Sequence, residues 1–169
     1  DLLTTIVDES ERLNRFIANL LDMTRIETGA AEPNLSFHYV GDIVGSALRR
    51  ADKILARHRT GIDIPPDLPM LKLDPVLFEQ VLFNLLDNAA KYAPTGSTVL
   101  IRGRVEGGGP VVLQVMDEGP GIPPADLERV FDSFYRVRKA DHVRAGTGLG
   151  LSICRGFVEA MGGTIAASN

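Results

Sequence analysis

The sequence predicts an α+β fold, namely a two-layer α/β sandwich with a mixed sheet and helices on one face, preceded by a long N-terminal helix. Residues 2–28 repeat apolar side chains at helical spacing, and residues 74–92 do the same in the middle of the chain. Residues 98–105 and 111–116 alternate as two strands around a glycine turn, which is typical of a hairpin. Helices combined with mostly antiparallel strands favour this layered class.

The composition is that of a globular protein without general affinity for nucleic acid. Of the 169 residues, 44% are hydrophobic and 24% are charged, and the net charge of −4 argues against non-specific binding to a polyanion. Cys154 is the only cysteine, so no internal disulfide is possible, and a reducing cytoplasm fits. No apolar run approaches the roughly 18 residues of a membrane span. The chain opens directly on a helical pattern, which suggests a piece of a longer protein.

The first predicted helix carries a heptad seam. The seam contains one charged interruption and runs through Leu2, Ile6, Glu9, Leu13, Phe16, Leu20 and Met23. Gly29 is the expected stop. Such a long helix needs a partner, so residues 1–30 are predicted to be a dimerising or hairpin helix and residues 31–169 a separate domain. A helix packed on its own domain is the alternative.

Short elements follow before the central helix. The predicted order is a linker over 30–36, a strand over 36–40, a helix over 42–57, a strand near 62–64 and a strand over 71–73.

The central helix, over 74–92, has an unusual polar face. Asp74 can cap it, and Pro75 suits its first turn. Helical spacing places one set of side chains, here called the amide stripe, on a single side: Gln80, Asn84, Asn88 and Lys91. A solvated stripe would favour better helix formers than asparagine, so this face is predicted to meet a ligand, with a plain solvated stripe as the alternative.

The remainder is predicted to hold a short helix over 124–131, a helix over 149–161 and the start of a last strand at 164–167. Gly162 and Gly163 should stop the second of these helices. Residues 134–145 between the helices are irregular and basic.

Residues 117–122, here called the first glycine segment, follow a predicted strand. The carboxylate of Asp117 can accept a hydrogen bond from an adenine amino group. Gly119 and Gly121 would let the backbone approach a flat ring or a phosphate. A tight turn capped by Asp117 is the alternative.

Residues 146–151, the second glycine segment, open a helix, and free N–H groups at such a start can bind an anion. A Rossmann fingerprint would need a preceding strand and Gly or Ala in place of Leu151, and a P-loop would need Gly-Lys. Neither condition is met. A flexible hinge before the helix is the alternative to phosphate binding.

Phe131 and Phe134 are predicted to be core residues that anchor the basic segment. Arg136 follows them directly, so its tethered backbone makes it the best-placed group to act on a phosphate. Arg138, Lys139 and Arg144 receive no individual role, and a solvated loop is the alternative.

In this order, the segments resemble the catalytic ATP-binding domain of bacterial sensor histidine kinases, within the larger group shared with gyrase, Hsp90 and MutL ATPases. Its N box is similar to residues 84–92, its glycine boxes to 117–122 and 146–151, and its F box to 131–134. The resemblance implies the Bergerat ATP-binding fold for residues 31–169. It also implies that the first helix is the second helix of the dimerisation hairpin.

The resemblance implies ATP and Mg²⁺ as ligands. Asp117 would take the adenine amino group, Asn88 would hold Mg²⁺, and Asn84 would support phosphate or metal-bound water. Arg136 would stabilise the γ-phosphate, which makes it catalytic together with Asn84. The other expected nucleotide contacts are Lys91, Tyr92, Gly119, Gly121, Ile122, Gly146, Thr147, Gly148, Leu149 and Gly150.

The resemblance also implies partners. The γ-phosphate would pass to a histidine on a helix outside this chain and then to an aspartate of a response regulator. The parent would be a homodimer anchored in the bacterial inner membrane, with this part in the cytoplasm. His38, His58 and His142 lack the acceptor setting and are expected to be structural or surface residues. The family's closing strand is expected to lie beyond Asn169.

Two other functions stay open at this point. One is a non-catalytic interaction module that docks a partner through its helix and loop surface. The other is an ATPase of the gyrase or Hsp90 kind. The family resemblance implies, however, that such ATPases carry a glutamate base at the position of Asn84.

Overall fold

The computed structural model describes residues 1–137 and 146–169. Arg138, Lys139, His142 and Arg144 lie outside the described residues. The described elements are α1 (Leu2–Glu27), β1 (Ser36–His38), α2 (Val40–Arg50), β2 (Arg59–Asp63), β3 (Leu71–Leu73), α3 (Pro75–Tyr92), β4 (Thr98–Val105), β5 (Val111–Met116) and α4 (Gly150–Ala160).

The main sheet is mixed, as predicted. Its central strand β4 pairs in parallel with β2 and antiparallel with β5, in the order β2-β4-β5. The predicted β4–β5 hairpin is therefore confirmed. A second, two-stranded antiparallel sheet joins β1 to β3.

Helix α3 lies between two apolar clusters, so it is the central helix of the domain. One side of it, at Leu82 and Leu86, packs with α2 and with the inward-facing β4 residues Val99 and Ile101. The other side packs with α4 in a second cluster through Leu77 and Val81. This arrangement is the predicted two-layer sandwich, with helices on one face of the sheet.

The start of α3 is fixed by its predicted cap. One carboxylate oxygen of Asp74 accepts hydrogen bonds from the backbone N–H groups of Val76 and Leu77, at 2.9 and 3.1 Å. The other oxygen accepts from the N–H of Asn34, at 2.9 Å. A cap of this kind contributes about 1 kcal/mol to stability, and here it also ties the linker to the helix.

Helix α1 is covered only at its C-terminal end within the described residues. Ile26 lies over Gly156 of α4, where an added Cβ would come within 2.6 Å of the Ile26 side chain. Leu2, Leu3, Ile6 and other apolar residues toward its N-terminus are exposed. Gly29 ends the helix with a φ of +70°, as expected. No described helix is long and apolar enough to cross a membrane. That α1 dimerises stays a prediction.

Several predicted element boundaries were wrong. Helix α2 begins at Val40, which is fully buried, and ends at Arg50 instead of near residue 57. Beyond Arg50 the chain forms turns with mixed three- and four-residue hydrogen bonds, which still bury Ala51 and Leu55. Strand β1 is short because α2 starts early, and β2 begins at Arg59 because its pairing with β4 begins there.

The predicted helix over 124–131 is two 3₁₀ segments, Pro124–Asp126 and Arg129–Phe131. The backbone hydrogen bonds here span three residues, from the Asp126 N–H to the Pro123 carbonyl oxygen, at 2.8 Å, and from the Phe131 N–H to the Glu128 carbonyl oxygen, at 3.4 Å, which is the 3₁₀ pattern.

No strand forms at 164–167 in the described structure. A strand requires a ladder of backbone partners. This segment is held instead by the Asn169 side chain, whose carboxamide exchanges two 2.7 Å hydrogen bonds with the backbone N–H and C=O of Ile122.

Candidate functional site

The amide stripe and the C-terminal end of α3 lie against both glycine segments. The Asn84 Nδ2 donates to the carbonyl oxygen of Gly150, at 3.5 Å. A Cβ added to Gly146 would lie 4.0 Å from the Lys91 Nζ, and one added to Gly119 would lie 3.2 Å from the Tyr92 carbonyl oxygen. One helix therefore brings together two segments, residues 117–122 and 146–151, that are well separated along the chain.

With one exception, the predicted site residues line one broad open cleft, which also extends along α1, β3 and β5. Those that line it are Asn84, Asn88, Lys91, Tyr92, Asp117, Gly119, Gly121, Ile122, Arg136, Gly146, Thr147, Gly148 and Gly150. Leu149 is the exception, because its side chain is fully buried in the cluster between α3 and α4. Its side chain anchors the second glycine segment instead of facing the cleft.

Asn84 is held in the wall of the cleft. Its side chain is buried, and its Oδ1 accepts from the Gln80 Nε2, at 3.0 Å. Cys154 lies behind it, with the thiol directed at the Val81 carbonyl oxygen, at 3.6 Å. Burial raises the pKa of Cys154 to about 12, although the Asn84 side chain lowers it in part. The thiol is therefore protonated at neutral pH and unreactive.

Asn88 is the stripe residue best suited to hold a metal ion. It is half-buried in the cleft, and its carboxamide makes no hydrogen bond to any residue in 1–137 or 146–169. Within those same ranges, no group of three His, Cys, Asp or Glu side chains is placed to hold a metal. A carboxamide oxygen can ligate Mg²⁺, which commonly takes one or two protein ligands and completes its shell with water and phosphate oxygens.

Lys91 forms an ion pair that the sequence reasoning missed. Its Nζ lies 2.7 Å from the Asp87 Oδ2, and both side chains keep about a quarter of their surface exposed. The signal was present, since Asp and Lys four residues apart on a helix commonly pair. A cleft that offers Lys91 to an anion therefore also contains a nearby carboxylate.

In the first glycine segment, Asp117 makes a tight turn and also keeps its carboxylate exposed. The Asp117 Oδ1 accepts from the Gly119 N–H, at 2.7 Å, which makes the tight turn. The Asp117 side chain is nevertheless exposed at the cleft, where its carboxylate can accept a further hydrogen bond. Gly121 has a φ of +74°, which favours glycine at this position.

Hydrogen bonds within the second glycine segment, to α1 and to Phe134 hold this segment in place. The Thr147 Oγ1 accepts from the Leu149 N–H, at 3.2 Å, and from the Nδ2 of Asn19 on α1, at 3.4 Å. The carbonyl oxygen of Gly148 accepts from the Phe134 N–H, at 2.8 Å. The residues before and after the undescribed stretch are therefore joined by a backbone hydrogen bond.

The prediction that both phenylalanines are core residues was half right. Phe131 is buried, at 5% exposure, whereas Phe134 is 64% exposed. Phe134 has a φ of +65°, a backbone conformation that residues other than glycine rarely adopt. This conformation brings its backbone against Gly148. Phe134 anchors the segment through its backbone.

Arg136 lies where the described part of this segment ends. The preceding Tyr135 donates its hydroxyl hydrogen bond to Asp126, and the guanidinium of Arg129 stacks over its ring, 4.3 Å from the centroid. These contacts tether the backbone next to Arg136, as the sequence suggested.

The described histidines have local structural partners. The His38 Nε2 lies 2.7 Å from the Ser36 hydroxyl, and the His58 Nε2 lies 3.3 Å from the Ala93 carbonyl oxygen. His142 lies outside the described residues.

Comparison with known proteins gives consistent matches. A family model described as histidine kinase-, DNA gyrase B- and HSP90-like ATPase matches residues 73–169. The sensor protein KdpD of Clostridium acetobutylicum is 39% identical over all of this chain, which covers 19% of that protein. The sensor protein KdpD of Escherichia coli is 41% identical over 92% of this chain and 17% of that protein.

The fold comparison extends to α1. The solved structure of Acinetobacter baumannii histidine kinase AdeS covers 99% of this chain and 77% of its own, with a TM-score of 0.80 and 26% identity. The chain spans about a fifth of the length of the curated relatives it matches.

Proposed function

Because the chain belongs to the family of histidine kinase-, DNA gyrase B- and HSP90-like ATPases, we propose that it is the ATP-binding catalytic domain of a two-component sensor histidine kinase. Its relatives named KdpD are sensor proteins, and the similar solved chain AdeS is a histidine kinase. The resemblance implies that gyrase-type ATPases carry a glutamate base at the position of Asn84. Asparagine at this position favours phosphoryl transfer over hydrolysis.

The observation that carries the proposal is the contact of α3 with both glycine segments. Asp117 lines the resulting cleft, and the second glycine segment lies against Asn84 and Lys91. An adenine ring hydrogen-bonded to Asp117 would direct its phosphates toward Asn88 and Lys91. Most catalysis in phosphoryl transfer is positioning and charge neutralisation, for which amides, lysine and arginine are suitable groups.

Mg²⁺ fits the donor set, because the unpartnered carboxamide of Asn88 faces the cleft. When bound, the ion would neutralise charge on the phosphates. Lys91 and the N-terminus of α4 supply positive charge to the same region. Arg136 would approach the γ-phosphate from its tethered backbone, and Tyr92 would contact the base or ribose.

In the whole protein, the γ-phosphate would pass to a histidine on a separate helix and then to an aspartate of a response regulator. Residues 1–30 would be the second helix of the dimerisation hairpin, whose exposed apolar N-terminal part needs a cover. The parent would be a membrane-anchored homodimer with this domain in the cytoplasm.

The test is calorimetric titration with AMPPNP, a non-hydrolysable ATP analogue, with and without Mg²⁺. We expect wild-type protein to bind more tightly with Mg²⁺. Asn88→Ala should bind AMPPNP equally with and without the ion, because its metal ligand is gone. Asn14→Ala, an exposed asparagine on α1, is the matched control and should behave as wild type.

Folded wild-type protein that binds no AMPPNP would contradict the proposal and favour the interaction module. Binding that keeps its full Mg²⁺ dependence in Asn88→Ala would remove Asn88 from the metal site while leaving nucleotide binding intact.

A second expected result concerns the ion pair on α3. Asp87→Asn should release Lys91 toward the phosphates and remove a nearby negative charge, so AMPPNP without Mg²⁺ should bind about fivefold more tightly. Lys91→Gln should weaken the same binding. Unchanged or weaker affinity in Asp87→Asn, measured by the same titration, would show that Lys91 does not reach the phosphates.

A further inference from the structure

We propose that Arg50 and Gln80 are positioning residues of the nucleotide site, which act by orienting the carboxamide of Asn84 toward the start of α4. This inference rests on the proposed function. It adds Arg50, which no sequence pattern places at the site, and it gives Gln80 of the amide stripe a specific role. The evidence is a chain of hydrogen bonds that runs from α2 through α3 to the second glycine segment.

The chain begins at Arg50 on α2. Its NH1 donates to the Gln80 Oε1, at 2.9 Å, and its guanidinium lies over the Phe83 ring, 4.2 Å from the centroid. Stacking and hydrogen bond together hold the guanidinium in one place. Since Gln80 uses its oxygen toward Arg50, its nitrogen must point the other way, toward Asn84.

Gln80 in turn determines which way round the Asn84 amide lies. The Gln80 Nε2 donates to the Asn84 Oδ1, at 3.0 Å, so the Asn84 Nδ2 faces the Gly150 carbonyl oxygen, at 3.5 Å. Rotating the Asn84 amide by half a turn would place two nitrogens together at Gln80 and two oxygens together at Gly150. Because Asn84 is buried and both hydrogen bonds are partly buried, water would replace the lost bonds only in part.

Gly150 is the position at which this chain reaches the site. It is the first residue of α4 and belongs to the second glycine segment. The Asn84–Gly150 hydrogen bond therefore ties that segment to α3 and holds it at the cleft. Arg50 and Gln80 act through Asn84 and need not touch the nucleotide.

The sharpest variant is Gln80→Glu, which keeps the size of the side chain and the acceptor for Arg50 but removes the donor to Asn84. The Asn84 amide should then turn to donate to the new carboxylate at position 80, and it should lose its hydrogen bond to the Gly150 carbonyl oxygen. We expect about tenfold weaker binding of AMPPNP, from the loss of one oriented hydrogen bond. Adenosine, which lacks phosphates, should bind within about twofold of wild type.

The matched control is Ser46→Ala. Ser46 donates to the Glu79 carboxylate, at 2.9 Å, so it also joins α2 to α3 but has no path to Gly150. Its AMPPNP affinity should equal that of wild type. Arg50→Leu should weaken AMPPNP binding, and Arg50→Lys should restore most of it, because lysine can still donate to Gln80.

An NMR readout in nucleotide-free protein separates this inference from the proposed function. Gln80→Glu should shift the Asn84 side-chain amide signals and the backbone amide signals of residues 149–151, whereas Ser46→Ala should not. Unchanged signals would overturn the inference, and so would equal AMPPNP affinities for Gln80→Glu and Ser46→Ala. If wild-type protein binds no nucleotide at all, the proposed function fails, and the NMR comparison still decides whether Gln80 orients Asn84.

Discussion

Asp117→Asn is expected to weaken AMPPNP binding by about 100-fold while leaving the protein folded. The asparagine Oδ1 can still accept from the Gly119 N–H, so the turn that Asp117 makes at 2.7 Å is preserved. Its amide nitrogen, however, cannot accept a hydrogen bond from the adenine amino group. Calorimetric titration measures the loss, and the free energy of urea unfolding checks that the fold is intact.

Glu118→Gln is the matched control, because it removes the same charge one residue away. The Glu118 carboxylate accepts from the Thr98 N–H, at 2.9 Å, and glutamine can do the same. It should therefore bind AMPPNP as wild type does. An equal loss in both variants would mean that net charge matters and base recognition by Asp117 does not. An inosine analogue should regain affinity in Asp117→Asn, since the base then offers an acceptor to the new amide.

Gly148→Ala is expected to have the second large effect, because two problems coincide at this residue. Gly148 has a φ of +71°, which costs a residue with a Cβ about 1–2 kcal/mol. The added Cβ would also lie 2.8 and 2.9 Å from the Cα and carbonyl carbon of Phe134, and backbone atoms cannot rotate away. The 2.8 Å hydrogen bond from Phe134 to Gly148 should break.

We expect Gly148→Ala to lose about 2–4 kcal/mol of unfolding free energy if the surroundings do not relax, or about tenfold in AMPPNP affinity if they do. Gly108→Ala isolates the strain, since Gly108 has a φ of +70° in the β4–β5 turn with nothing within 4 Å of its Cβ. It should lose only the strain energy and keep its nucleotide affinity. Urea unfolding and titration that show no difference between the two variants would contradict the proposed contact.

The elements that were predicted correctly carry strong local signals. The cap and helical period of α3, the glycine that ends α1 and the alternation of β4 and β5 each operate within a few residues. The boundaries that were wrong lack such signals. Helix α2 has no side-chain cap at Tyr39, and its start depends on the burial of Val40 by distant elements.

The sequence signals for the candidate site also differ in strength. Asn88, Asp117 and the glycine segments stand out because their residue types are poor choices for an ordinary helix or turn. Phe134 was misjudged because sequence alone does not say which side of a segment faces the core, whereas Leu149 stays a predicted nucleotide contact. Leu149 points inward, and Phe134 turns its ring outward.

The sequence by itself determined the order of α1–α4 and β1–β5, the polar face of α3 and the family resemblance, since each depends on residue types at short or fixed spacing. Only the tertiary structure decided which groups meet. The Arg50–Gln80–Asn84–Gly150 chain includes a hydrogen bond between residues 66 positions apart, and Phe134 bonds to Gly148 across the segment between them. Such contacts depend on how α2, α3 and α4 pack, and packing is set by the apolar clusters on either side of α3 rather than by any local pattern.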